Sequence, residues 1–273
     1  DSVLPKSLLD DFRAEVVADC TYGGHLIALP ADGFCSALWY NTQTIGNTPP
    51  ATWLHLSAIV NADDTSPVQG PSNGLGAFPF LESLWSAGGD VLADGACTLD
   101  RAPAHRALDF VLHVTRGAPR SESAAFTQWA GGRLAMTVAS SARLPAAARS
   151  GIAFGVAPVP GETGPISRRS DDVVVVFSRE QGAGAADIAT FLDWLTGPEV
   201  MGEHAAEAGS VPLRNSTRTI ESRIPGVAAA YAAGRSTPLH ADWSAIESEL
   251  ERGIAEAYDA IERDRHTTPP APK

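Results

Sequence analysis

Apolar positions along the chain recur at two spacings, one suited to helices and one to strands, and the two kinds of stretch take turns. Leu8, Leu9, Phe12 and Val16 share one face at helical spacing, which predicts a helix ending near Asp19. Gly23-Gly24 then turns the chain into two predicted strands, His25 to Leu29 and Phe34 to Tyr40. Pro49-Pro50 cannot continue a helix, so Thr52 is the expected N-cap of a new one. A helix opening at Asp100, with Pro103 in its first turn, carries Leu108, Val111 and Leu112 on one side and stops at Gly117. Ser123 to Ala130 predicts a further helix, leading into a strand at Leu134 to Ala139.

Phe154 to Ala157 and Asp172 to Phe177 read as buried strands. The second carries consecutive valines, Val173 to Val176, which suit a sheet covered on both faces. Ala185 to Leu195 is a predicted helix ending at Gly197-Pro198. From Asp242, as N-cap, a long amphipathic helix runs to about Arg263 with Ile246, Leu250, Ile254, Tyr258 and Ile261 on one stripe. Ser66 to Gly76 is a predicted surface loop, and Thr267 to Pro272 a frayed tail. Alternating strands and helices favour an α/β design. There is no internal repeat and no linker of disordered composition, so two domains would have to be interleaved.

The chain's 273 residues suffice for one large domain or two ordinary ones. Acidic residues outnumber basic ones 32 to 20, a net charge of −12, which repels nucleic acid and anionic lipid alike. No apolar run reaches the roughly 18 residues of a membrane span. Asp1 to Leu9 carry no charged-then-apolar leader. Three cysteines, Cys20, Cys35 and Cys97, are too few for a disulfide framework. A Cys20–Cys35 pair is open, with small buried thiols the favoured reading.

No catalytic constellation emerges. The chain has no Gly-x-Ser-x-Gly elbow and no phosphate-cradling loop, and its only lysines are Lys6 and Lys273. Gly182-Ala183-Gly184 precedes a helix but lacks the third glycine of a dinucleotide turn. His105 and His113 have no partner at metal spacing and read as solvated. Of the paired carboxylates, Asp10-Asp11 and Asp63-Asp64 suit helix ends or loops. Asp171-Asp172 follows Arg168-Arg169-Ser170 and heads a strand, most simply as an ion-paired loop. No catalytic residue, metal or cofactor is expected. The tryptophans stand out instead. Trp53 and Trp194 lie within helical apolar stripes and are assigned to the core. Others adjoin glycines or strand ends, where a flat ring can meet the apolar face of a sugar.

Several stretches, in order, resemble the extracellular solute-binding proteins of sugar ABC importers, the maltose-binding-protein-like group. They are Tyr22-Gly23-Gly24-His25-Leu26-Ile27-Ala28-Leu29-Pro30, Leu38-Trp39-Tyr40-Asn41, Pro49-Pro50-Ala51-Thr52-Trp53 and Trp85-Ser86-Ala87-Gly88-Gly89. Gly132-Arg133-Leu134-Ala135-Met136, Gly155 to Gly161, Phe191 to Glu199 and Gly209-Ser210-Val211-Pro212 continue the series. The resemblance implies a two-lobed periplasmic-binding-protein-like (type II) α/β fold with interleaved lobes, crossing near Phe34 to Leu38, near Ala157 and near Val211. Residues 1–37 and 157–210 would form the remnant of an N-terminal lobe, 38–156 and 211–266 a C-terminal lobe, and 267–273 a tail. Family members carry further strands ahead of the Tyr22 motif, so the first lobe is expected to be incomplete.

The same resemblance implies capture of a sugar or sugar derivative in the cleft by hinge closure, without catalysis, and delivery to a membrane permease. It implies an extracytoplasmic location, periplasmic or at the cell surface, with lipid anchoring through a preceding segment as one form of it. A sensory or interaction ectodomain of the same fold is the alternative. Cleft positions carried over are Phe34 and Trp39 on the first crossing, Phe78 in a loop before the Trp85 helix, Arg143, Asp171 and Trp243. Phe34, Phe78 and Trp243 would stack on ring faces, and Arg143 and Asp171 would hydrogen-bond hydroxyls or an acidic group. Ser140-Ser141-Ala142-Arg143 stands where relatives often carry a stacking aromatic, which implies a more polar pocket.

Overall fold

The computed structural model describes residues 6–61, 77–115, 121–177, 184–217 and 225–267. The Ser66–Gly76 loop, Asp63-Asp64, the stop at Gly117, Gly182-Ala183 and the tail beyond Thr267 lie outside the described residues.

The predicted first helix is two short ones, α1 (Lys6–Leu9) and α2 (Ala14–Asp19). Between them Arg13 is extended, and its amide donates to the Leu213 carbonyl at 3.0 Å, so a tertiary bond interrupts the helical run. Leu8, Phe12 and Val16 nevertheless share one core, as their spacing predicts. Gly23 and Gly24, both at positive φ, turn the small hairpin of β1 (Thr21–Tyr22) and β2 (His25–Leu26). In place of a second short strand the chain then runs as one continuous strand, β3 (Leu29–Asn41). Asn41 caps α3 (Thr42–Ile45) by accepting the Gln43 amide at 2.9 Å.

Thr52 accepts the His55 amide at 3.3 Å at the start of α4 (Trp53–Asn61), in line with its predicted capping role. Next come α5 (Ala77–Ser86), the hairpin β4 (Leu92–Ala93) and β5 (Ala96–Cys97), and α6 (Ala102–Val114) with Pro103 in its first turn. Ser121 caps α7 (Glu122–Ala130), and β6 (Met136–Ser140) runs through a 3₁₀ turn into α8 (Leu144–Arg149). The chain continues through β7 (Phe154–Ala157), β8 (Ser167–Val174), α9 (Gly184–Leu195) and α10 (Pro198–Ala208). It closes with α11 (Pro225–Ala232), β9 (Gly234–Ser236) and α12 (Trp243–Thr267), whose Leu250, Ile254 and Tyr258 are buried as the stripe predicts. The Ile261 side chain is outside the described ones.

β3 is the axis of the sheet. Its first segment, Leu29 to Cys35, pairs antiparallel with β8, with a bulge between Pro30 and Asp32. Its second segment pairs with β6 over Ser36 to Tyr40 and with β7 over Leu38 to Asn41. Two strands claiming the same residues must lie on opposite edges. β9 joins β8 in parallel, over Ser167 to Arg169. Apolar packing follows this division. One cluster gathers Leu8, Phe12, Val16, Leu29, Cys35, Leu213, Val227 and Tyr231 around the first segment. A second packs Trp39, Phe126, Trp129 and Leu134 against the other. The helices α4, α5, α6 and α12 share a third around Trp53, Leu81, Leu84, Trp85, Ala107 and Ile254, where Trp53 stacks on Phe110 at 4.2 Å. Gly155 lies against the Tyr40 ring so closely that a Cβ there would sit 2.2 Å from a ring carbon.

Two core assignments are corrected. β8 begins at Ser167, ahead of the predicted Asp172, and ends at Val174. Val173, Val175 and Val176 are about half exposed and Phe177 is 88% exposed. The reason is topological, since β9 covers only the start of β8. Trp194 is likewise 60% exposed, on an α9 stripe with Ile188 and Phe191 that no described residue covers. Cys20 and Cys35 are buried free thiols, and Cys97 is an exposed one. Burial pushes the first two up to about 11 and about 12.

Candidate binding site

Where β3 hands over from β8 to β6, a hollow of about 330 Å³ opens. Phe34 and Ser36 of β3 line it, with Val138 and Ser140 of β6, Glu122 and Ala142 beside them, and Arg168, Ser170 and Asp172 of β8. Strand alternation explains the set. Phe34 faces Ser170 across the ladder and Cys35 faces Arg169, and cross-strand partners share a face of the sheet. Arg168, Ser170 and Asp172 therefore turn toward the hollow, while Arg169 and Asp171 turn to the other face.

Phe34, one of the expected cleft positions, thus lines this hollow. Asp171 does not. It lies behind the sheet, where the Tyr231 hydroxyl donates to its Oδ1 at 2.6 Å. Arg169 bonds Asp19 there at 2.7 Å, and the Arg13 and Arg169 guanidinium carbons lie 5.5 and 5.6 Å from the Tyr231 ring centre. Loss of water raises the Asp171 carboxyl, opposed by the Tyr231 hydrogen bond, and burial raises the Tyr231 phenol. Its neighbour Asp172 is the carboxylate at the hollow, a shift of one residue that reverses the face.

Trp39 is a second correction. It is fully buried, 5.7 to 6.0 Å from the rings of Phe154, Trp129 and Phe126, with its indole N–H donating to the Ala139 carbonyl at 3.1 Å. Its ring is spent on the core. Trp243 packs half-buried against the α5, α6 and α12 cluster, away from the hollow. Phe78 stands in the first turn of α5, where the sequence reading expected a loop, and its side chain lies outside the described ones. Arg143 is not among the lining residues; it bonds Glu122, which is, at 3.0 Å and lies 5.5 Å over the Phe126 ring.

The sequence reading missed Ser36, Glu122, Arg168, Ser170 and Asp172. A strand drawn from Ser167 would have found three of them by alternation. It also passed over Glu82 on α5, 1% exposed, whose carboxylate oxygens lack a hydrogen-bond partner. The Ser36 hydroxyl and the Arg168 charge favour its ionised form, but loss of water outweighs them and lifts the group to about 7. Arg168 ties this corner together. Its amide donates to Ser36 Oγ at 2.8 Å, and its Nη1 bonds Glu247 of α12 at 2.8 Å.

Two other hollows are more open and already satisfied. One, of about 610 Å³, is lined by Asp19, Arg169 and Ser236, which bond one another. The other, of about 430 Å³, has its Trp85 ring covered by Arg235 at 4.8 Å, and Arg235 also bonds Asp90. The Phe34 hollow combines apolar walls with convergent polar groups, the usual character of a small-molecule site.

The sequence matches no family model and no curated protein. Solved structures do match. A cyclo/maltodextrin-binding protein complexed with maltotetraose superposes with a TM-score of 0.79 at 17% identity, covering 94% of this chain and 72% of that one. The fold is that of a periplasmic binding protein. The GacH receptor of Streptomyces glaucescens, solved unliganded and with acarbose, gives 0.78 at 20% identity over 94% and 72%. The Thermus thermophilus maltotriose binding protein gives 0.74 at 21% identity over 94% and 73%. These periplasmic-binding-protein structures run beyond the part that this chain matches.

Proposed function

We propose that the chain is the sugar-binding component of an ABC importer, holding a sugar or sugar derivative in the Phe34 hollow without transforming it. The observation that carries the reading is the hollow itself. An aromatic ring and the polar groups Ser36, Ser140, Arg168, Ser170 and Asp172 converge where β3 changes partners, in a fold whose solved neighbours hold maltodextrins. A ring supplies the apolar contact and the polar groups supply hydrogen bonds that orient hydroxyls.

In this reading the two segments of β3 belong to two lobes, and closure over the ligand shifts the open–closed population. One boundary can be read differently from the expected 211–266 second-lobe segment. Leu213, Val227 and Tyr231 cluster with Leu8 and Val16, which supports reading the described part of that region with the first lobe. The docking partner is an ABC permease and the location extracytoplasmic. The exposed stripe of α9 favours a second reading, an interaction ectodomain of the same fold.

Calorimetric titration with a panel of mono- and oligosaccharides tests the first reading. A sugar should bind, and Phe34→Ala should weaken it roughly ten-fold, the loss of about 1.5 kcal/mol of ring contact. Silence across the panel, or binding indifferent to Phe34, would count against it.

A further inference from the structure

We propose that Asp172 is a specificity-determining residue of the Phe34 hollow, a carboxylate that selects sugars carrying a cationic amine over neutral ones. The inference deepens the sugar-binding reading above and rests on it.

The charges that line the hollow do not cancel. Arg168 is engaged through its Nη1 by Glu247 of α12, at 2.8 Å. Glu122 is engaged by Arg143 at 3.0 Å. Each of these two lining charges therefore has a counter-charge of its own. Asp172 lines the same hollow and has no ion pair or hydrogen bond among the described residues. One negative charge is left over.

The strand opposite adds to it. Asp172 faces Asp32 across the β3–β8 ladder, and like charges placed opposite one another repel. Asp32 accepts the Ser210 hydroxyl at 2.7 Å and meets His204 Nδ1 at 2.8 Å. The serine brings no charge, and the histidine brings one only when protonated. A cation beside Asp172 relieves the repulsion between the two carboxylates.

The placement suits a single sugar ring. Phe34 pairs with Ser170, so Asp172 is its diagonal neighbour across the ladder, about 7–8 Å away. A ring stacked on Phe34 reaches the carboxylate with one substituent. A hydroxyl there offers a hydrogen bond, whereas an ammonium offers the same bond together with attraction between full charges. Asp172 is exposed, so the attraction is modest and sensitive to salt.

The experiment is a calorimetric titration at pH 6, where a sugar amine is cationic. The probes are glucose, its analogues with an amine in place of the hydroxyl at C2, C3 or C6, glucuronic acid and maltotriose. At low salt at least one aminoglucose should bind roughly two- to five-fold more tightly than glucose, and glucuronic acid more weakly. The margin should close in 1 M NaCl, where the screening length falls to about 3 Å. Asp172→Asn removes the charge and keeps the shape, so the ratio of aminoglucose to glucose affinity should fall to about one. Sugar binding in which no aminoglucose outranks glucose overturns this inference and leaves the sugar reading standing. So does a preference for the amine that persists in Asp172→Asn or in high salt. Silence toward every probe, maltotriose included, overturns both.

Discussion

The two segments of β3 are surrounded by the same kinds of side chain put to opposite use. Beside the second segment Trp39 and Trp129 are fully buried and Phe126 nearly so. Beyond the first, Phe177 is 88%, Trp194 60% and Phe191 54% exposed. Apolar stabilisation follows the area withdrawn from water, so identical residue types contribute a great deal on one side and almost nothing on the other. The lesson concerns what periodicity reports. A stripe such as Ile188, Phe191 and Trp194 establishes a helix with an apolar face, and says nothing about whether another element covers that face.

The strongest way to break this contrast is a matched pair of truncations. Trp39→Ala should cost about 3–5 kcal/mol in denaturant unfolding, and Trp194→Ala less than about 0.5 kcal/mol. Comparable costs would show that the two regions are closed alike. The next effect belongs to Glu82, on the closed side. Its folded-state value is raised from 4.5 to about 7, so the unfolded chain ionises first as pH climbs. Stability is therefore full below about 4.5 and declines by roughly 3 kcal/mol up to about 7, a decline that Glu82→Gln should remove from thermal melts.

Glycine substitutions sharpen the contrast further. Gly155→Ala drives a methyl into the Tyr40 ring and should cost about 1–3 kcal/mol. Gly184→Ala, at the start of α9 with nothing within 4 Å, should be neutral or stabilising by up to about 1 kcal/mol. The smallest expected change in stability is for Phe191→Ser with Trp194→Ser, within about 0.5 kcal/mol of wild type. That double variant should instead lose binding of an apolar dye and self-association by light scattering, and an unchanged dye signal would mean that the stripe is not the exposed surface.

Much of the architecture was legible because local chemistry and tertiary structure agreed there. The Gly23-Gly24 turn, the Thr52 cap and the Pro103 helix start stand as read, as do the span of the Phe154 strand, though only its Ala157 is buried, and the α12 stripe from Leu250 to Tyr258. β3 was read as starting only at Phe34; a bulge and the close approach of Tyr231 to Gly33 accommodate Pro30, Asp32 and Gly33 within the same strand. The site was harder. Phe34 lines the hollow, but Asp171 was chosen over Asp172 because the start of β8 was misplaced, and alternation magnifies such an error into the opposite face. Trp39 was chosen for its type, and only the neighbours supplied by α7 and β7 decide that its ring is enclosed. Glu82 left no local signal, since a carboxylate on a helix reads as solvated until its surroundings are known.

The continuity of β3 carries a consequence for how the molecule could be taken apart. A nick in an exposed connection would leave fragments still laced to this strand by main-chain bonds to β6, β7 and β8. A nick between Cys35 and Ala37 would leave each fragment with half the template the other needs. Splitting the polypeptide for reassembly should therefore succeed around this strand and fail within it.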